Sequence, residues 1–382
     1  MNRIQATARF QKIDNFANLG NLYVLLIRIS SIIILISAII IVRTKMKSNA
    51  TQKDVAKMAG VSQATVSLVL NGAGSNSISD TTVAKINEAV RVLGYLPNYM
   101  ARALRTNQTM TLACVVPDIM NPYYPALIRG VQAVAEAAGY DVITVSTDGQ
   151  KERELHYLKM ALQGRIDGVI GVFFGLGIID LEPFIEAGIP IVRLEASVKR
   201  GGPISIDDFF VDNSQAAEDL TSFLISKGHS RIAMIAGRGG PQSVRVDGYR
   251  KALQSKRLKA LIQLDDAFTE EGGARAAVKL LDKGEEPTAI IAANDLMAIG
   301  VMHALMGRGL SIPDEIAVAG FDDIPAARLV SPSLTTVTQF QNSLGAQAAH
   351  ALVERLNGTA IGPGRATQQP YRLSLIHISE PT

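Results

Sequence analysis

From residue 110 onward the chain alternates short apolar runs with amphipathic stretches, and this alternation narrows its possible folds more than anything else in it. Apolar runs at 112–117, 141–146, 168–173 and 189–194 are separated by helical patterns at 128–138, 152–163 and 181–187. A second series follows, with helical patterns at 213–227, 246–255, 271–282 and 296–306 and apolar runs at 232–236, 289–292 and 316–320. Runs that are apolar throughout suit strands buried on both faces, and the intervening helices supply the crossovers that parallel strands need. The expected body is therefore α/β, built as two doubly wound lobes of parallel sheet. At 382 residues the chain has room for two or three domains, and with 47% hydrophobic and 19% charged residues it is neither disordered nor a coiled coil.

Other features limit the chemistry. The one cysteine, Cys114, can form neither an internal disulfide nor a cysteine-based zinc site, which suits a reducing compartment. The histidines 156, 229, 303, 350 and 377 show no metal spacing and no nucleophile pairing. The glycine-rich stretch 237–241 lacks the lysine of a P-loop and the spacing of a dinucleotide fingerprint. No enzyme, cofactor or metal is expected.

Charge is distributed unevenly. Residues 1–45 carry six Lys/Arg and one acid, residues 46–106 seven and three, and the remainder 25 and 31. A basic beginning thus precedes a mildly acidic body, which suits a polyanionic partner for the first part. Residues 22–42 are interrupted only by Arg28 and three serines, long enough to cross a bilayer, with basic residues on both sides and no signal-peptide cleavage site. Three readings follow: a membrane anchor, a failed secretion signal, or residues foreign to the native protein. The abrupt change of composition at Met46-Lys47 favours the third for residues 1–45, and the sequence SLIHISEPT suggests the same for residues 374–382.

Between these parts lies a compact helical pattern. Thr51-Gln52-Lys53-Asp54 is a capping box opening a helix to Ala59, Gly60 gives a tight turn, and Ser62 caps a second helix to Leu70, closed by Asn71-Gly72. Ser79-Asp80 starts a third helix with Val83, Ile86, Val90 and Leu93 at helical spacing, ended by Gly94. This is a helix-turn-helix arrangement. The second helix would turn Val66, Val69 and Leu70 inward and present Gln63, Ala64, Thr65, Ser67 and Leu68, side chains small or polar enough for a major groove. Spacing alone leaves open whether this unit is a scaffold or reads DNA.

The run from Asp54 to Gly72, continued by Leu93-Gly94-Tyr95-Leu96-Pro97-Asn98 and Ala101-Arg102-Ala103-Leu104, resembles the headpiece, linker and hinge helix of LacI/GalR-type bacterial transcription regulators, and the resemblance spans about residues 46–373. It implies a domain plan: an N-terminal extension (1–45), a helix-turn-helix headpiece (46–96), a hinge helix and linker (97–109), and an effector-binding and dimerisation core (110–373) shaped like periplasmic solute-binding proteins. In that core the first lobe would comprise about 110–207 and 339–365, the second about 208–338 and 366–373. The resemblance further implies that Gln63, Ala64 and Leu68 meet base edges and that Thr51, Thr65, Ser67, Asn71 and Tyr95 hold phosphates. Ser62, Asn98 and Ala101 complete the DNA-facing set. Leu68 stands where many relatives carry arginine, so readout would lean on Gln63 and on apolar contact with thymine methyls. Leu104 would be the minor-groove wedge, on a hinge of about two turns that folds only against DNA and its twin.

For the core, the resemblance puts Arg245, Asn294, Asp322 and Gln339 at an effector, with Tyr124 and Phe174 as aromatic platforms and Asn121 and Asp295 nearby. Asn121 and Asp295 have an alternative use as turn and helix caps. The implied partners are double-stranded operator DNA, a sugar or nucleoside effector, and a second copy of the chain, as a homodimer or a dimer of dimers. The implied role is a cytoplasmic, nucleoid-associated repressor on a palindromic operator. The competing function is a membrane-anchored or exported solute-binding protein, which requires the 22–42 run to be native.

Overall fold

The computed structural model describes residues 50–70, 78–96, 103, 106–195 and 201–374, in two compact units divided at residues 99 and 100. The hydrophobic run 22–42, Asn71, Asn98, Ala101 and Leu104 lie outside the described residues. None of the described helices is long and apolar enough to cross a membrane.

The first unit contains α1 (Gln52–Ala59), α2 (Gln63–Leu70) and α3 (Asp80–Leu93). The capping box at α1 is complete: Asp54 accepts from the Thr51 backbone N–H at 2.9 Å, and the Thr51 hydroxyl accepts from the Asp54 N–H at 3.3 Å. Gly60 then turns the chain at φ 69°, a left-handed conformation that costs glycine nothing. Ser62 accepts from the Thr65 N–H at 3.1 Å at the start of α2, and Ser79 from the Thr82 N–H at 3.4 Å at the start of α3. Val55, Val66 and Ile86 have no exposed surface and close a small core with Ala56, Ala89 and Tyr95. Each such aliphatic side chain contributes about 1.5–3 kcal/mol, which is what short helices need to persist.

The second unit holds two parallel sheets. The first is ordered β11-β5-β4-β3-β1-β2, comprising β1 (Thr111–Val116), β2 (Asp141–Ser146), β3 (Gly168–Gly171), β4 (Ile191–Glu195), β5 (Ile206–Val211) and β11 (Ala366–Gln369). Helices α4 (Tyr123–Ala137), α5 (Lys151–Leu162), α6 (Ile178–Glu186) and α11 (Gln341–Leu356) belong to this lobe. The second sheet is ordered β7-β6-β8-β9, from β6 (Ile232–Gly237), β7 (Leu261–Asp265), β8 (Ala289–Ala292) and β9 (Ala317–Ala319). It carries α7 (Asn213–Ser226), α8 (Gln242–Ser255), α9 (Glu270–Asp282) and α10 (Asp295–Gly307). A ribbon of β10 (Thr336–Thr338) and β12 (Arg372–Ser374) joins the second lobe through the bridges Ala319–Thr335 and Asp322–Thr338.

The chain crosses between lobes three times. All of β5 pairs with β4 in the first sheet, so the first crossing falls at 212, and residues 208–211, expected in the second lobe, belong to the first. The third falls at 370–371, so residues 366–369, also expected in the second lobe, belong to the first, because β11 adds to β5 before β12 pairs with β10. Ser374, expected to begin a foreign tail, is paired with Thr336 in β12.

Helices meet through glycines. A side-chain carbon on Gly345 of α11 would stand 2.0 Å from the Leu127 carbonyl oxygen of α4, and one on Gly130 of α4 would stand 2.0 Å from the Asn342 oxygen of α11. Gly248 against Ser214 and Gly273 against Met297 repeat the device in the second lobe, at 1.9 and 2.1 Å. Asp207 ties β5 to α11 and β11 through Arg355 and Arg365, each at 2.7 Å. Burial alone would raise its carboxyl, but these hydrogen bonds outweigh burial and hold it at about 2.

Candidate functional site

On α2, the three residues expected to meet base edges, Gln63, Ala64 and Leu68, are exposed, Leu68 at 43%. Val66 is buried, and Val69 and Leu70 pack against the core behind them. The division follows from helical geometry, since residues three and four apart share a face. Thr65 is half-buried, its hydroxyl 2.8 Å from that of Ser62, and the Gln63 amide reaches Gln52 on α1 at 3.5 Å. Thr51 is exposed beside Asp54. Tyr95, expected at a phosphate, is 9% exposed, so its ring serves first to wedge the core.

In the second unit a cavity of about 540 Å³ opens between the lobes, beyond the carboxyl ends of the strands. Asn121, Tyr123 and Tyr124 enter it after β1, Phe174 after β3, and Glu195 at the end of β4. The second lobe supplies Arg238, Arg245, Phe268 and Asn294, while Asp322 and Gln339 line it near the crossing. Arg245 organises its floor. Its Nε donates to Asn213 at 2.8 Å, one Nη to the Ala293 carbonyl, and the other to Asp322 at 3.3 Å, while its guanidinium stacks 3.7 Å over the buried Phe321 ring. Asp322 also accepts from Gln339 at 2.8 Å. Three of the five N–H groups of Arg245 are thus committed to protein, leaving two for a ligand.

Burial pushes Asp322 up to about 6, the adjacent Arg245 opposing it, and depresses Arg245, which Asp322 opposes. The pair, joined by one contact at 3.3 Å, brings guanidinium donors and a carboxyl acceptor to the cavity, groups suited to gripping hydroxyls. Tyr123 and Tyr124 meet edge to face at 5.1 Å, and the Phe174 ring, 43% exposed, stands at the mouth. Among the described residues no group of His, Cys, Asp or Glu is arranged to hold a metal. Cys114 is buried in β1, where burial pushes its thiol up to about 12.

Residues 51–98 match the bacterial regulatory proteins of the lacI family, and residues 221–375 match the periplasmic binding protein-like domain. The catabolite control protein A of Priestia megaterium is 34% identical over 330 residues, covering 85% of this chain and 98% of that one. The ribose operon repressor of Escherichia coli K12 is 35% identical over 335 residues, covering 86% and 98%. The chain belongs to the LacI family. Solved structures agree: the Lac repressor bound to ONPG in its repressed state superposes with a TM-score of 0.75 at 25% identity, covering 85% of this chain and 98% of that one. A CelR–cellobiose complex superposes at 0.62 with 28% identity, covering 87% and 100%. Its members are DNA-binding transcription regulators and not enzymes, and the solute-binding alternative is not favoured.

As a LacI-family core, the cleft gathers seven of the eight residues expected at an effector: Asn121, Tyr124, Phe174, Arg245, Asn294, Asp322 and Gln339. Asp295 is the exception. It has no exposed surface, accepts from the Thr336 hydroxyl at 2.6 Å and the Ile324 N–H at 2.9 Å, and so braces the loop beneath the cleft. Burial, then the nearby Asp322, raises its carboxyl to about 7. The cap of α10 is instead Asn294, whose Oδ1 accepts from the Met297 N–H at 2.9 Å while its Nδ2 donates to Phe268. Asn121 likewise accepts from the Tyr123 N–H at 3.0 Å, so both asparagines shape the walls. Asn213 and Tyr123 escaped the sequence reading. Asn213 begins a helix in a polar stretch where nothing marks it as facing Arg245, whereas Tyr123 adjoins a residue already singled out.

Proposed function

We propose that the chain is a cytoplasmic repressor that binds a palindromic operator as a homodimer and is controlled by an uncharged sugar or nucleoside in the cleft. The observation carrying the DNA half is the exposed Gln63-Ala64-Leu68 face on a capped helix whose opposite face is core. Gln63 would read a base edge, Ala64 and Leu68 would touch thymine methyls, and Thr51, Ser62, Thr65 and Ser67 would hold phosphates. Asn71, Tyr95, Asn98 and Ala101 are assigned to the same surface, and Leu104 to a wedge between base steps. A second copy has an apolar edge to meet: Ile119, Met120 and Ile143 are exposed at and beside β2, the last strand of its sheet, with Met120 at 81%.

The charge of the cleft supports an uncharged ligand. Asp118, Asp148, Glu195 and Asp322 line it with Arg238 and Arg245, and most of these charges are already paired within the protein: Arg238 with Asp266 at 2.8 Å, Arg245 with Asp322 at 3.3 Å, Glu195 with Arg193 at 3.2 Å, and Asp148 with Arg153. A phosphate would find no uncommitted cation among the described lining residues; a polyol would find acceptors, two guanidinium N–H groups and aromatic rings for its apolar face. Ligand-driven closure would then bias the folding of the hinge at 97–109.

Titration of a fluorescent duplex from upstream of its own gene is expected to give saturable binding that weakens with salt, and its absence overturns the DNA half. Thermal shift with ribose, cellobiose, adenosine and their phosphates tests the other. A ligand at 100 times its Kd should add about 2.7 kcal/mol. Stabilisation by the phosphates alone refutes the uncharged assignment.

A further inference from the structure

The loop at 172–177, between β3 and α6, carries Phe174 to the cleft mouth and is held from behind by Glu154 in the first turn of α5. Glu154 has no exposed surface, yet its Oε1 accepts from the Phe174 N–H at 2.9 Å and its Oε2 from the Gly175 N–H at 3.0 Å. A carboxylate out of water is costly unless its oxygens are bonded, and here both are occupied by amides of this one loop. Gly175 presses on the same helix: a side-chain carbon there would stand 2.8 Å from the Lys151 Cα. Asp180, just past the loop, pairs with Lys151 at 2.6 Å.

What this anchoring presents is a ring between two glycines of different lobes. A side-chain carbon on Gly149, in the first lobe, would stand 3.0 Å from the Phe174 ring, and one on Gly240, in the second, 2.8 Å. A larger residue at either place would push the ring aside, and both glycines have positive φ, 63° and 51°. Phe174 therefore spans the mouth, and its reach is set by where its backbone is pinned.

We propose that Glu154 is a positioning residue of the ligand site, fixing the 172–177 loop so that Phe174 bridges the mouth to Gly240 and sets how closely the lobes shut. The inference rests on the cleft being the ligand site, but its test needs no ligand, so the two can fail separately. The chain has no tryptophan, so Phe174→Trp places a single fluorophore at the mouth. Adding Glu154→Gln, which replaces one acceptor by a donor, is expected to raise acrylamide quenching at least twofold, and unchanged quenching overturns the proposal. In an otherwise unaltered chain, Glu154→Gln is expected to speed hydrogen exchange of the 174 and 175 amides at least tenfold while β1 and β3 keep their protection. Equal exchange likewise overturns it. If Glu154→Gln removes protection from β1 and β3 as well, Gly240→Ala in the Phe174→Trp chain decides: increased quenching supports the bridge, and no change refutes it.

Discussion

Gln63 and Val66 are three positions apart on one short helix, yet one is exposed and the other has no exposed surface, so substitutions there should fail in different ways. Gln63→Ala is expected to cost about 1–3 kcal/mol of discrimination between the operator and a scrambled duplex while binding to the scrambled duplex persists; competition titration at fixed salt reads both. Val66→Ala should instead lower headpiece stability by about 1–3 kcal/mol and weaken both duplexes together, seen as a lower melting temperature. In the cleft, Arg245→Ala strands Asp322 without its cation and is expected to cost roughly 3–5 kcal/mol of core stability, measurable by urea denaturation. Arg245 and Asp322 were legible through the family resemblance, helped for Asp322 by its place just after an apolar run. Glu154 was not: nothing in Lys-Glu-Arg-Glu shows which of its two glutamates is buried, and only the fold turns one of them toward a loop twenty residues away.

Among the elements, those with strong local patterns could be read directly. The capped headpiece helices and the apolar strands β6 and β8 needed no tertiary knowledge, because caps and apolar runs are local signals. The helix α11 escaped: Leu344, Ala348, Ala351 and Leu352 do form a stripe, but alanines contrast weakly with their neighbours, and the stripe becomes meaningful only against α4. Its glycine is more telling than its apolar face. Gly345→Ala would drive a methyl to within 2.0 Å of the Leu127 oxygen, so the α4–α11 pair must separate. A loss of about 1–3 kcal/mol is expected, with calorimetry showing a lower melting temperature; an unchanged one would mean the helices are less closely apposed than described. The strands β5 and β11 were misplaced for a related reason: where a crossover ends and a strand begins is decided by which neighbour offers hydrogen bonds.

For the whole molecule, buried carboxyls set a pH response of definite sign. Asp295 at about 7 and Asp322 at about 6 hold their protons in the folded protein at pH values where an unfolded chain has lost them, so their contribution weakens the fold as pH rises from about 4 to 7. Asp207, held at about 2, acts in the other direction: its contribution of roughly 2 kcal/mol is present above about pH 4 and lost as pH falls toward 2. Asp295→Asn is therefore expected to flatten the decline in melting temperature between pH 5 and 7, and an unaltered slope would contradict the raised value.

The three crossings also bear on how the protein can be made. Neither lobe is a continuous stretch: the first awaits β11 to complete its sheet, and the second awaits β12 and the hydroxyl of Tyr371, which donates to Asp219 at 2.6 Å. A ribosome therefore releases residues 366–374 before either half can finish, and a message cut short by even this much yields two unfinished halves rather than one working one.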